Sequence, residues 1–240
     1  MNKYNFSDRM KALASFVLPG EAVADIGTDH GFVPIDLLAE NIVPFAVMTD
    51  INEGPLNKAK GNLDRVGILP QFYELRQCDG LELVKNAEVS TVIIAGMGAE
   101  TIIDILSADI EKTKSYKRLI LQPRKRSWEL REWLNKNNIT VTNEKLVKED
   151  EKICEIIVCD IQIKNDIPYE ETNSPAKIVD YYYLPVLLRK DPLFIEFAKD
   201  LCRKFNVVIN NMANSDATDS LVSAWKEKLA EAERIINEYS

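Results

Sequence analysis

A chain of 240 residues, 46% hydrophobic and 28% charged, is long enough for a full α/β core plus an appendage, and its composition excludes a fibrous or disordered protein. A net charge of -8 argues against broad electrostatic capture of nucleic acid, while leaving room for a local basic patch. No apolar run approaches the roughly 20 residues that span a bilayer, and the opening Met1-Asn2-Lys3-Tyr4-Asn5 lacks a signal peptide's apolar segment, so a cytoplasmic location without membrane attachment is expected.

In chain order, residues 7–17 predict a helix and the apolar run 22–26 predicts a first strand. Strands at 45–49, 72–75, 91–95 and 119–121 then alternate with helices at 33–40, 55–66, 99–106 and 128–137, the order of successive βα units with five parallel strands. Two further β-rich runs, 140–147 and 154–163, flank a charged turn at 148–152 and predict an antiparallel hairpin. A mostly parallel sheet finished by such a hairpin is the class I (Rossmann-like) methyltransferase arrangement, although the alternation alone requires only a doubly wound α/β domain. Composition changes after Lys164, and Asn165-Asp166-Ile167-Pro168 predicts a linker between an α/β domain at 1–164 and a helical, coiled-coil-like domain at 165–240. Ser174-Pro175 and Asp191-Pro192 mark helix starts there. Phe197, Leu201, Phe205, Val208 and Met212 recur at helical spacing, as do Trp225, Leu229, Ala232, Ile236 and Tyr239 after the polar break Asn214-Ser215-Asp216. These stripes predict an antiparallel helical hairpin, as packing seams rather than cofactor contacts.

The chemistry concentrates at strand ends. Val23-Ala24-Asp25-Ile26-Gly27-Thr28-Asp29-His30-Gly31 joins an apolar strand to a glycine turn, and Asp50 ends the next strand 19 residues later. That layout holds the adenosine half of a cofactor, the acid taking the ribose hydroxyls. A carboxylate inside the turn repels a diphosphate but is compatible with a sulfonium cation, so charge favours S-adenosylmethionine over a nicotinamide dinucleotide. Asp25, Gly27, Thr28, His30 and Gly31 are expected to wrap the methionine moiety, Asp50 to hold ribose and Ile51 to lie against adenine. In Cys78-Asp79-Gly80, Asp79 can accept from the exocyclic amine of adenine while Gly80 admits close backbone. Ala95-Gly96-Met97-Gly98 follows the most apolar strand, and its glycines let backbone pass near the transferring methyl. Each of these loops also reads as an ordinary tight turn.

Gln122-Pro123-Arg124 offers an amide and a guanidinium for a base and its phosphate. It borders a basic run of Lys112, Lys114, Lys117, Arg118, Arg124, Lys125 and Arg126, with no acid after Glu111 until Glu129, which is either a solvated face around a buried strand or a phosphate track. Arg9, on the first helix, is a further carboxylate or phosphate partner. His30 can bond the methionine carboxylate, the target base or its own turn. Cys78, Cys154, Cys159 and Cys202 show no C-x-x-C pairing, and with a single histidine they assemble no metal site, so reduced thiols and no metal are expected.

Together, Ala24 to Gly31, Asp50, Asp79-Gly80, Ala95-Gly96-Met97-Gly98 and Leu121-Gln122-Pro123 resemble the bacterial tRNA adenine-22 methyltransferases, the TrmK family, over the whole chain. The resemblance implies a class I methyltransferase domain followed by a helical domain, with methylation of ring nitrogen 1 of adenine in tRNA and S-adenosylmethionine as donor. It implies no obligate protein partner. Two positions depart from the family pattern: Ala99 stands for glycine and Arg124 for asparagine. On this reading Asp29, His30, Gly96, Met97, Gly98 and Gln122 position the base, and Arg9, Arg124, Lys125 and Arg126 contact tRNA. The competing readings are a methyltransferase for a small molecule or protein, a nicotinamide dehydrogenase, and a non-catalytic cofactor binder.

Overall fold

The computed structural model describes residues 6–163, 174–212 and 217–240. The predicted linker Asn165 to Pro168, the polar break Asn214 to Asp216 and the opening Met1 to Asn5 lie outside the described residues. Two compact units divide the chain, Met1–Ile167 and Pro168–Ser240.

In the first unit, β1 (Val23–Ile26), β2 (Ala46–Asp50), β3 (Tyr73–Gln77), β4 (Thr91–Met97) and β5 (Arg118–Pro123) are parallel. β7 (Lys152–Asp160) joins β5 antiparallel and pairs with β6 (Val141–Glu149), giving the order β3-β2-β1-β4-β5-β7-β6. This is the Rossmann-like methyltransferase sheet that the sequence predicts. The chain winds from β1 out to β3 and returns to β4 beside β1, so connections diverge at β1 and β4 and open a crevice at the carboxyl ends of the strands.

β4 is apolar without alternation because both of its faces are covered. Val92 and Ile94 pack with Ile102 and Leu106 of α4 (Ala99–Ser107) and Leu130 and Leu134 of α6 (Ser127–Lys136). Ile93 packs on the opposite face with Leu13 of α1 (Asp8–Ser15), Ile35 and Leu37 of α2 (Phe32–Ala39) and Leu63 of α3 (Glu53–Val66). All of these side chains are at most 2% exposed. A short α5 (Ile110–Ser115), which the sequence reading omits, is too brief for a periodic stripe; its sign is Asp109, whose side chain accepts from Lys112 N–H at 2.9 Å. In α6, buried Arg131 donates from Nε to Glu144 Oε1 at 2.7 Å and from Nη2 to Glu155 Oε1 at 2.8 Å, while Ser127 Oγ donates to Glu155 Oε2 at 2.6 Å.

In the second unit, α7 (Pro175–Ile178) begins on Pro175 and runs into a π-helical turn Val179–Tyr183, followed by a 3-10 segment Val186–Lys190. The two long helices are α8 (Phe194–Met212) and α9 (Asp219–Tyr239). α8 begins at Phe194 rather than at the expected Pro192, because Asp191 first closes a turn, its carboxylate accepting from Leu193 N–H and its carbonyl from Phe194 N–H, both at 2.9 Å. Ring contacts Phe194–Tyr239 at 6.0 Å and Phe205–Trp225 at 5.4 Å pair the start of each helix with the other's opposite end, so the hairpin is antiparallel. The seam follows the predicted stripes in Phe205, Trp225 and Ala232 and adds Phe194, Ala198 and Ile235 to them. Fully buried are Phe194, Ala198, Phe205, Ala232 and Ile235, while Tyr239 is exposed. Large rings (Phe194, Phe205) and small side chains (Ala198, Ala232) alternate along this buried seam.

Candidate active site

The β1 turn is built by two glycines with left-handed φ, +73 at Gly27 and +67 at Gly31. Gly27 and Thr28 N–H both donate to Thr49 O, at 2.8 and 2.9 Å, tying the turn to β2. A β-carbon on Gly31 would meet Met48 Sδ at 3.0 Å and Ala59 Cβ at 3.1 Å, so a bare position is what lets α2 start against the sheet. Thr28 Oγ1 donates to Asp25 Oδ2 at 2.6 Å. Burial pushes the Asp25 carboxyl up to about 6; the Thr28 hydroxyl and Arg9 oppose this and Asp50 adds to it. Asp29 points to solvent, with Lys58 Nζ of α3 3.2 Å and His30 Nε2 3.3 Å from its carboxylate. The His30 ring stacks on Phe32 at 5.0 Å, and its carbonyl accepts from Asn62 Nδ2 at 2.9 Å.

The next two loops adjoin the turn. Asp50 Oδ1 accepts from Asn52 N–H at 2.8 Å, and its carbonyl accepts from Cys78 N–H at 3.1 Å. Ile51, beside it, is 62% exposed, unusual for isoleucine. Gln77 Nε2 donates to Ile51 O at 3.1 Å, and Thr49 Oγ1 donates to Gly80 O at 3.1 Å, so Asp50, Ile51 and Cys78 to Gly80 form one ledge. Arg76 braces the segment that follows, donating to Leu83 O at 2.8 Å and pairing with Glu88 at 2.5 Å.

At the end of β4, Gly96 takes φ +79 and donates its N–H to Gln122 Oε1 at 3.1 Å. Gln122 is 2% exposed, and its Nε2 donates to Pro123 O at 3.0 Å, so both ends of its amide bond within the protein. Arg9 reaches the same place, Nη1 lying 3.5 Å from Gln122 Oε1, but its Nε is engaged with both oxygens of Glu149 at 2.9 and 3.0 Å. Arg124, Lys125 and Arg126 are exposed at the end of β5. The Arg124 guanidinium lies over Gly96 and the Lys125 stem over Gly98, within 3.6 and 3.5 Å of where β-carbons would stand. Arg126 pairs with Glu129.

The basic run does not form one patch. β5 places its start and end roughly 17 Å apart at about 3.3 Å per residue. At the start, Lys117 pairs with Glu21 at 2.7 Å, Arg118 pairs with Asp160 at 2.7 Å, and Lys112 donates to Leu81 O at 2.8 Å. Only Arg124 to Arg126 share the crevice end with Asp25 to Gly31, Asp50, Asp79 and Gly96 to Gly98. Sequence reasoning missed Lys58, Arg76 and Glu149, which carry no motif and act only as partners of residues distant in the chain.

The family described as "Methyltransferase domain" matches residues 6–157. The chain is 35% identical over 160 residues to the tRNA (adenine(22)-N(1))-methyltransferase of Bacillus subtilis, covering 67% of each chain. A crystal structure of the B. subtilis M1A22 tRNA methyltransferase TrmK superposes with TM-score 0.80 and 28% identity, over 96% of this chain and 98% of that one. A Streptococcus pneumoniae structure of a putative tRNA (m1A22) methyltransferase in complex with S-adenosyl-L-methionine superposes with TM-score 0.80 and 25% identity, over 96% and 99%.

Proposed function

The chain belongs to the tRNA (adenine(22)-N(1))-methyltransferase family within the methyltransferase-domain class, and we propose that it transfers a methyl group from S-adenosylmethionine to ring nitrogen 1 of adenine-22 in tRNA. The observation that carries this reading is an acidic, glycine-opened turn facing a glycine loop flanked by exposed cations.

The residues present fit the donor. Asp25 and Asp50 make the crevice attractive to a sulfonium and hostile to a diphosphate, while Asp29 is paired with Lys58. Asp50 keeps Oδ2 for ribose hydroxyls while Oδ1 accepts from Asn52, and Ile51 offers adenine an apolar face. Gly27 and Gly31 give the turn the left-handed backbone that would line the methionine moiety, with Thr28 fixing the Asp25 carboxylate toward its ammonium. The ledge of Cys78, Asp79 and Gly80 takes the adenine edge. When bound, S-adenosylmethionine supplies an electrophilic methyl on a sulfonium cation.

Ring nitrogen 1 of adenine has an in-plane lone pair and no proton to lose, so the protein's task is alignment and exclusion of water rather than general-base catalysis. Gly96, Met97 and Gly98, with Asp29 and His30 across the crevice, are assigned to the base. The reacting nitrogen lies on the pairing edge, so adenine must leave any pair before it enters. Arg124 and Lys125 are assigned to the phosphates beside it; Arg9 and Arg126 are held by Glu149 and Glu129 and contribute less. The helices α7, α8 and α9 serve as an arm that holds tRNA by shape. The same reading assigns the enzyme to the cytoplasm, where tRNA is its substrate, and calls for neither a membrane nor an obligate protein partner.

The test is methyl transfer from labelled S-adenosylmethionine to tRNA transcripts carrying adenine or guanine at position 22. Formation of 1-methyladenosine in the adenine transcript alone is the expected result. Cofactor binding without incorporation into either transcript would refute the substrate.

A further inference from the structure

β4 and β5 pair in regular register up to Ala95 opposite Gln122, then skip a residue, so that Met97 opposes Pro123. The additional residue is Gly96, at φ +79. Side chains alternate along a strand, and regular continuation would put Met97 on the face of Ile93 and Ala95. Ala95 does pack with Ile93, but Met97 packs instead with the cluster of Val92 and Ile94 on the opposite face. The bulge therefore re-aims Met97, as bulges beside active sites do.

Its direction brings it across the switch point to β1. A β-carbon on Gly27 would stand 2.0 Å from Met97 Cε, so the thioether methyl occupies the space that the bare glycine leaves. The Met97 carbonyl is fixed from the other side by Arg124 N–H at 2.7 Å. The bulge N–H is accepted by Gln122 Oε1, and Gln122 is itself oriented by Pro123 O at 3.0 Å and Arg9 Nη1 at 3.5 Å. At 2% exposure, Gln122 presents no edge to a base.

We propose that Gln122 is a positioning residue: it pins the Gly96 bulge that aims Met97 onto the Gly27 turn, and Met97 is the apolar wall against which donor and acceptor are aligned. The inference rests on the methyl-transfer reading above. Gln122 acts on the reaction through the loop, and Met97 excludes water from the transfer channel.

The experiment compares wild type, Gln122→Met, Gln122→Glu, Met97→Ala and the Gln122→Met/Met97→Ala pair. It measures single-turnover methylation of the adenine-22 transcript, S-adenosylhomocysteine affinity, and hydrogen exchange of the Gly96 amide. Gln122→Met should slow transfer on the order of 10- to 100-fold with cofactor affinity within about twofold, because misalignment rather than binding is affected. Gln122→Glu keeps an acceptor for Gly96 and, when protonated, also a donor for Pro123 O, so at the acidic end of the assay range it should recover much of the rate. The pair should be no slower than the slower single variant, the sign of residues acting as one unit. Multiplicative slowing, an equal loss in cofactor affinity, or Gln122→Glu as slow as Gln122→Met at every pH of the assay would overturn the proposal. Met97→Ala leaves the bulge pinned and tests the wall alone; an unchanged rate overturns that role. Gly96 exchange should quicken in Gln122→Met, and unchanged exchange overturns the pinning whatever the acceptor. A wild-type protein inactive on the transcript would instead refute the substrate, with exchange still deciding the pinning.

Discussion

Asp25 gives the sharpest quantitative test, because one substitution should move binding and stability in opposite directions. Burial pushes its carboxyl from an ordinary 3.8 up to about 6, with Thr28 and Arg9 restraining the rise and Asp50 adding to it. If this carboxylate holds the donor's ammonium, affinity is nearly full about one pH unit above 6 and falls as the group protonates. At pH 5 about one-tenth remains ionised, an affinity loss of about tenfold or ~1.4 kcal/mol, whereas an unshifted carboxyl would lose almost nothing. Calorimetry of S-adenosylhomocysteine from pH 8 to pH 5 should show that fall in wild type and a weaker, flatter profile in Asp25→Asn. For stability, a folded-state value above the unfolded one means the native state holds its proton more tightly. Native stability is therefore greatest below pH 3.8 and is lost as pH rises through 6. The loss is up to about 3 kcal/mol, an upper bound for a residue that keeps some exposure. Asp25→Asn, which keeps an oxygen for the Thr28 hydroxyl, should resist urea better than wild type at pH 8. A flat wild-type binding profile, or a variant no more stable at pH 8, would refute the reasoning.

Asp50→Ala should weaken S-adenosylhomocysteine binding by about 1 to 3 kcal/mol through lost charge-assisted bonds, and unchanged calorimetric affinity would remove it from the ribose site. Reversing charge at Arg124 and Lys125 together should raise the KM for tRNA about tenfold or more and flatten its salt dependence by about two phosphate contacts, with cofactor affinity unchanged. Lys117→Glu, at the opposite end of β5, should leave KM unaltered; equal effects at both ends would restore a single patch. Arg131→Met would leave Glu144 and Glu155 facing each other with their cation gone, and should cost about 3 to 5 kcal/mol in urea unfolding. A cost below about 1 kcal/mol would show that the two carboxylates re-solvate or protonate freely.

The sheet was legible because its signal is local: apolar runs separated by glycine turns and helical periods specify βα units, and Asp25 to Gly31, Asp50, Asp79-Gly80 and Gly96 to Gly98 sit at strand ends by the same local rules. The tail was legible as helices, from Pro175 and the Asp191-Pro192 step, and in the Phe205, Trp225 and Ala232 part of its seam, but not in Phe194, Ala198 and Ile235, which are buried only once two helices touch.

The order of strands and helices, the turns that need left-handed glycines and the acidic character of the crevice follow from local pattern, because each depends on neighbours within a few residues. Tertiary structure alone decided that β5 divides the basic run, that Lys58, Glu149 and Glu129 neutralise particular site charges, and that Gln122 faces inward to a bulge instead of outward to a base. Those outcomes depend on which distant side chains a register brings within 3 Å, and a one-residue shift at Gly96 is enough to change the face on which Met97 lies.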